Sequence, residues 1–282
     1  MSRHLGSAGV CLAIFLLATL LGTQQSLAWG NGGYSSDPEY PDYGIHDWIA
    51  DKALAFQTAD VSFLTSTYHA DYLIGTEAPD NDAYIGDWYN HHVYYTSSGA
   101  IQSDIGASRS QAMYQAALVA LGASDFKQAA YYAGAMAHYV SDLGAYGHTM
   151  GAGTEWGQSR NHSDYEEQVA DLLGSLSAPA AEPVAPKDPY DVAVSLARET
   201  TFGSGVIRAN TWMEANYDWG NPAFRASCFE SLNESVRAVA GALGKLLLDA
   251  GLNPIPEFWL PAFALLATVW TLLVVQRAGS RR

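Results

Sequence analysis

Residues 138–148 read HYVSDLGAYGH, and residues 162–166 read HSDYE. Each stretch contains a histidine four positions before a carboxylate, a spacing that places both side chains on the same face of a helix. An imidazole and a carboxylate on one face suit a shared metal ion. The two pairs are His138 with Asp142 and His162 with Glu166.

One such pair would carry little weight, because eight histidines and acids at about a tenth of positions give roughly one pair by chance. The segment that connects the two pairs strengthens the prediction of a metal site. His148 stands six residues beyond Asp142, past two glycines where a helix can end and the chain can turn back. Mixed imidazole and carboxylate sets favour Zn²⁺. The alternative is that the histidines form hydrogen bonds in a core while the acids face water.

The composition excludes some classes of protein. The chain has 282 residues, with 49% hydrophobic and 15% charged residues and a net charge of −15. An intrinsically disordered chain would be poorer in aliphatic residues and richer in charge. The acidic balance makes nucleic acid an unlikely partner, because non-specific binding needs a basic surface. Two cysteines cannot form a disulfide framework.

Both ends of the chain carry apolar segments. Residues 1–28 have the basic start, apolar run and small residues of a secretory signal peptide, with cleavage expected after Ala28. Cleavage makes Trp29 the first residue, with a free α-amine. Residues 258–275 contain no charged residue and precede a basic tail at 276–282. This pattern predicts a transmembrane helix with a cytoplasmic tail.

The residues Pro-Glu-Phe at 256–258 resemble the start of a PEF-type C-terminal sorting signal of prokaryotic surface proteins. That resemblance implies cleavage by a sortase-like processing enzyme. We therefore expect an extracellular domain at 29–252 and a linker at 253–257. The C-terminal helix would anchor the domain to the cell-surface membrane.

Helical patterns dominate residues 29–252 and predict an all-α, single-domain multi-helix bundle. Ser124 is the expected N-cap of the third helix, and Asn221 with Pro222 is expected to open the last helix, which Gly251 closes. Residues 178–189 contain four prolines and predict an outer loop. The predicted helices are 47–58, 110–121, 125–143, 161–176 and a long one from residue 222.

The order of these motifs resembles the zinc-dependent phospholipase C family of bacteria, which shares its helical fold with single-strand-specific zinc nucleases. The resemblance covers roughly residues 29–170 and is weaker to about residue 250. Its motifs are Trp29 at the new N-terminus, His46-Asp47-Trp48-Ile49, the segment Gly75 to Asp80, His92-Val93-Tyr94, and the block His138, Tyr139, Asp142, His148, His162 and Glu166.

The resemblance implies three zinc ions, with Asp142 bridging two of them. His91 competes with His92 for one position, and the family's pattern of a histidine before an aromatic residue favours His92. The implied ligands are His92, His138 and Asp142 for one ion, His148, His162 and Glu166 for the second, and the amine and carbonyl of Trp29 with His46 and Asp142 for the third.

The implied activity is that of a zinc-dependent phosphoric-ester hydrolase, which cleaves phospholipids or related phosphodiesters by attack of metal-activated hydroxide. The family places its catalytic, non-ligand aspartate at Asp80; a loop-capping role is the alternative. A nuclease or nucleotide phosphatase on the same scaffold stays open, as does a non-enzymatic, metal-stabilised surface domain. The long spacing from Trp29 to His46 favours the phospholipase.

The resemblance leaves the head group of the substrate open. Choline-selective members carry a glutamate and a tyrosine where this chain has Gly32 and Asn81, so the resemblance does not imply a preference for phosphatidylcholine. Five aromatic residues form either a wall for a head group or ordinary packing: Tyr84, Trp88, Tyr89, Tyr94 and Tyr95.

Overall fold

The computed structural model describes residues 43–252, and this part of the chain is mostly helical. Short 3₁₀ turns at Ala78–Asp80, Asp142–Gly144, Tyr146–Thr149 and Leu173–Ser175 and a π-helical turn at Phe63–Thr67 connect the longer elements. The helices are α1 (Ile45–Leu54), α2 (His69–Glu77), α3 (Ile105–Gly122), α4 (Phe126–Ser141), α5 (His162–Asp171), α6 (Pro189–Phe202), α7 (Asn210–Ala215) and α8 (Pro222–Asp249).

Several predictions fall outside the described residues. They are the signal peptide at 1–28, the Trp29 amine, the linker at 253–257, the helix at 258–275 and the tail at 276–282. Between residues 43 and 252, no helix is both long and apolar enough to cross a bilayer.

The last helix begins and ends as the sequence predicts. The Asn221 side chain accepts a hydrogen bond from the amide of Ala223 (2.9 Å), and Pro222 occupies the first turn. Gly251 follows the helix with a φ of 72°, a conformation that suits glycine. The predicted cap at Ser124 is wrong. The cap is Asp125, whose side chain accepts a hydrogen bond from the amide of Gln128. Ser124 instead has a φ of 60° and lies in the turn between α3 and α4.

Three helices and one hairpin were missed by sequence reasoning. The proline-rich loop ends at Asp188, and Pro189 begins α6, since a proline fits the first helical position. The other missed helices, α2 and α7, are short. Strands β1 (Tyr94–Tyr95) and β2 (Ile101–Ser103) form an antiparallel pair too short to show an alternating pattern.

Helix α4 lies in the centre of the core, and its small residues let α2 cross it closely. A Cβ atom added to Gly134 would lie 2.0 Å from the carbonyl oxygen of Tyr72, and one added to Gly75 would lie 2.1 Å from that of Tyr131. Only glycine permits this approach. The crossing brings the carbonyl of Thr76, on α2, to the ring of His138, on α4.

Helix α8 packs its apolar stripe into the same core and supports the turn after α4. The residues of this stripe are all buried: Phe224, Leu232, Val236, Val239, Leu243 and Leu247. The hydroxyl of Ser231 donates a hydrogen bond to the carbonyl of Gly144. A Cβ atom added to Gly144 would lie 2.0 Å from Oγ of Ser235. These two contacts with Gly144 hold the turn that begins at Asp142 against α8.

Candidate metal centre

The carboxylate of Asp142 is fully buried and lies among four imidazoles. Its Oδ2 atom is 2.7 Å from Nδ1 of His91 and 3.1 Å from Nε2 of His138. Its Oδ1 atom is 3.1 Å from Nε2 of His46 and 3.5 Å from Nε2 of His148. The two oxygens therefore face different pairs of histidines, as a carboxylate shared between metal ions would.

The second predicted helical pair is adjacent to the first. Oε1 of Glu166 lies 2.7 Å from Nε2 of His162, one turn away on α5, and 3.2 Å from Nε2 of His148. His148 therefore lies between the carboxylates of Asp142 and Glu166. A Cβ atom added to Gly147 would lie 2.2 Å from the His162 ring, so the glycine leaves the space in which that ring lies.

Asp80 belongs to the same cluster and is 3% exposed. Its Oδ1 atom is 3.6 Å from Nδ1 of His91, and its Oδ2 atom is 3.7 Å from Nε2 of His138. The 3₁₀ turn at Ala78–Asp80, directly after α2, places the side chain there. The position fits either a residue that handles a proton beside the metal ligands or a further ligand.

Three sets of potential ligands follow from these distances. In each set the ligand atoms all lie within 4.8 Å of one another. The sets are His91, His138 and Asp142; His148, His162 and Glu166; and His46, Asp80 and His138.

The hydrogen bonds of two histidines show that a cation fits this cluster. Nδ1 of His138 is 2.5 Å from the carbonyl oxygen of Thr76, which can only accept, so Nδ1 carries the proton. The Ser141 hydroxyl donates to the carbonyl of His138, so it accepts from Nδ1 of His46. In both neutral rings the lone pair on Nε2 then faces the Asp142 carboxylate.

A lone pair that faces a carboxylate is repelled unless a proton or a metal ion lies between them. Among the described residues, neither Nε2 of His46 nor Oδ1 of Asp142 has a hydrogen-bond partner, although the two atoms are 3.1 Å apart. Metal-bound histidines generally donate their other ring N–H to a carbonyl or another acceptor, as these two do. The donor set therefore fits a metal ion.

The pKa values of His91 and Asp142 also indicate that a positive charge is stabilised in this cluster. Burial opposes protonation of His91, yet its hydrogen bond to Asp142 and the nearby Asp80 raise the pKa of His91 to about 9. Burial also opposes ionisation of Asp142, but the surrounding histidines hold its pKa well below the ordinary value. Burial raises the pKa of Asp80 to about 6. Metal binding would displace protons from such a cluster.

The sets of potential ligands contain His91 and not His92, so the geometry favours His91 where the sequence pattern favours His92. The segment is extended and alternates, so that His91, Val93 and Tyr95 are buried while His92 and Tyr94 are only partly buried. The His92 ring stacks on Tyr94 with centroids 4.1 Å apart.

The other singled-out residues divide between packing and surface. Tyr95 donates to the carbonyl of Val194 and is 4% exposed, so it belongs to the core. Tyr84 and Tyr89 are exposed on the loop between Asp80 and His91, and Trp88 on the same loop is partly buried.

His69, at the start of α2, pairs with Asp51 on α1. The distance from Nε2 of His69 to Oδ1 of Asp51 is 2.7 Å.

Supporting residues around the cluster were not predicted. Asp87 accepts from the hydroxyl of Tyr139 (3.0 Å) and pairs with Nε of Arg109 (2.6 Å). The Tyr139 ring lies against His91, with centroids 5.1 Å apart. Neither these contacts nor those of Thr76 have a sequence signature, because each joins segments distant in the chain.

Comparison with known proteins gives the fold. No family model matches the chain, and no curated protein matches it. Among solved structures, the alpha-toxin of Clostridium absonum matches with a TM-score of 0.55 and 15% identity, covering 77% of this chain and 66% of the toxin. The alpha-toxin of Clostridium perfringens from avian strain SWCP matches with a TM-score of 0.55 and 16% identity, covering 78% and 65%.

The chain thus has an alpha-toxin-like helical fold and spans about two thirds of the length of these toxins. The expected helical architecture is confirmed at that level.

Proposed function

We propose that this chain is an exported, zinc-dependent phosphodiesterase of the phospholipase C type. The observation that carries the proposal is the buried cluster in which three sets of ligands meet around the Asp142 carboxylate. The helical fold shared with the clostridial alpha-toxins agrees with the helical fold that the sequence resemblance implies. The order of the metal-binding motifs in the sequence supports the same family.

Seven of the eight residues in the three sets would hold the metal ions, with Asp80 kept as the residue that handles a proton and His91 in the place first given to His92. Nitrogen and carboxylate oxygen donors without thiolates suit Zn²⁺. The Trp29 amine stays a predicted eighth ligand, since residue 29 lies outside the described range. The seven are His46, His91, His138, Asp142, His148, His162 and Glu166.

Zinc ions, when bound, neutralise phosphate oxygens and lower the pKa of water. The protein's own residues then orient the reactants. Asp80 lies beside His91 and His138, where a carboxylate accepts or orients a proton during attack on phosphorus. Burial raises its pKa to about 6, which suits proton exchange near neutral pH.

The proposed substrate is a phospholipid, and the loop from residue 81 to residue 90 supports it. This loop joins Asp80 to His91 and presents Tyr89, 81% exposed, and Tyr84, 39% exposed. Aromatic side chains of this kind suit the interface between lipid and water. The net charge of −15 disfavours a polyanion such as single-stranded DNA, the substrate of the nuclease alternative.

A substrate panel tests the proposal. The secreted protein is assayed with phospholipid vesicles, single-stranded DNA and a chromogenic phosphodiester, before and after removal of metal with a chelator. We expect release of a phosphorylated head group that chelation abolishes and zinc restores.

Three other outcomes would contradict the proposal. Faster turnover of DNA than of lipid would establish the nuclease. Bound zinc without turnover would indicate a metal-stabilised surface domain, and turnover that survives chelation would exclude a metal mechanism.

A further inference from the structure

Glu214, on α7, collects hydrogen bonds from two segments that precede metal ligands. Its Oε1 atom accepts from the backbone amide of Arg160 (3.0 Å) and from Nδ2 of Asn161 (3.2 Å). Its Oε2 atom accepts from the hydroxyls of Ser159 (2.8 Å) and Tyr146 (3.3 Å). The sequence reasoning gave this glutamate no role.

These partners lie within three residues of potential metal ligands along the chain. Asn161 immediately precedes His162, and Tyr146 lies two residues before His148 in the same 3₁₀ turn. The intervening chain, residues 150–161, contains no helix, and half of its residues are exposed. The Glu214 carboxylate joins the segments of His148 and His162 directly.

The segment around α7 is itself held firmly. Met213 is buried, and Nδ2 of Asn210 lies 3.2 Å from both the carbonyl oxygen and Oγ1 of Thr149, directly after His148. At the other end, the hydroxyl of Tyr217 donates to Oδ2 of Asp164 on α5 (2.5 Å). Glu214 thus lies at the middle of a strap, residues 210–217, that touches both ligand-bearing segments.

Glu214 remains charged in this position. Burial raises its pKa, but the hydrogen bonds from Arg160 and Ser159 outweigh burial and lower the pKa below the ordinary value. The guanidinium of Arg160 adds little, because that side chain is 84% exposed and its contact with Glu214 is screened by water. The amide and hydroxyl donors therefore provide most of the connection.

We propose that Glu214 is a positioning residue for the metal site formed by His148, His162 and Glu166. It acts by holding the segments of His148 and His162 at the separation that one ion requires. This inference rests on the proposed function only in requiring that the site binds metal. Loss of an outer hydrogen-bonding group that orients ligands typically weakens metal affinity 10–100-fold.

The test measures metal binding in the full-length protein. Glu214→Ala and Glu214→Gln are compared with wild type by zinc content and by chelator competition, and Co²⁺ absorption reports the coordination geometry. We expect Glu214→Ala to weaken one ion about 10–100-fold and leave the others unchanged. Glu214→Gln keeps one oxygen acceptor but turns an NH₂ group towards donors, so an intermediate loss is expected.

Two controls identify the site and separate positioning from general stability. Glu234→Gln removes a carboxylate on α8 that pairs with Arg237 (2.5 Å), and metal affinity should not change. In a Glu166→Gln background, which already lacks that ion, Glu214→Ala should have no further effect on metal affinity.

Each outcome has a distinct meaning. Wild-type protein that binds no metal would contradict the proposed function itself. Wild-type protein that binds metal, with unchanged affinities in both Glu214 variants, would overturn the role of Glu214 alone. If Glu214→Ala does not fold, Glu214→Gln decides: a lower unfolding temperature without metal, combined with wild-type affinity, would mean general structural support and overturn the inference.

Discussion

Neighbouring histidines provide a sharp test of the metal centre, because His91→Asn and His92→Asn are matched changes at adjacent positions. His91 is 3% exposed, and its Nδ1 atom lies 2.7 Å from Oδ2 of Asp142. His92 is only partly buried, and its ring stacks on Tyr94. Only the first change removes a potential ligand.

The expected magnitudes differ widely. Loss of an outer-sphere partner weakens metal binding 10–100-fold, so loss of His91, a proposed ligand, should weaken the binding of one ion by more than about 100-fold. This factor corresponds to more than about 2.7 kcal/mol. His92→Asn removes a stacked ring pair worth about 0.5–1.5 kcal/mol of unfolding free energy. It should leave every ion bound.

Zinc content after dialysis against a graded series of chelators gives the affinities, and thermal unfolding of the metal-free proteins gives the stabilities. We expect His91→Asn to lose an ion, and turnover with it, while His92→Asn keeps its zinc and unfolds at a slightly lower temperature. The reverse pattern, with the ion lost from His92→Asn, would refute the assignment from geometry and restore the choice made from sequence.

Three further predictions follow from the site and its surroundings. Asp80→Asn should lower turnover 10²–10⁴-fold, about 3–5 kcal/mol of barrier, at wild-type zinc content; unchanged turnover would leave Asp80 as a loop cap. One extra residue before Trp29 should lower zinc content by one ion while circular dichroism stays the same, and an equal ion count would remove the amine from the ligands. The hydrogen bond to Asp51 raises the pKa of His69, so the stabilisation is complete below about pH 6.5 and lost as pH rises through the raised pKa. Unfolding free energies of wild type and His69→Gln should therefore converge at high pH, with a difference under about 1 kcal/mol at low pH; a difference that grows with pH would contradict the assignment.

Local spacing made the helical pairs predictable. His138 with Asp142 and His162 with Glu166 lie 3.1 and 2.7 Å apart, because residues four apart share a helix face whatever the rest of the fold does. The start of α8 at Asn221 was predictable for a similar reason, since capping involves only the next few residues. The cap at Ser124 failed because the conformation at that position depends on how α3 meets α4.

By itself, the sequence determined the residue types of the metal centre, the two helical pairs and the largely helical class. The tertiary structure decided which histidine of the 91–92 pair points inward, that the two oxygens of Asp142 face different histidines, and that Asp80 joins the cluster. It also placed Glu214 between the segments of His148 and His162. The physical reason is the separation along the chain of the residues that make each contact. A helix fixes neighbours four residues apart through its own hydrogen bonds, whereas contacts such as that between residues 91 and 142 form only when the Gly75–Gly134 crossing and the packing of α8 bring distant segments together.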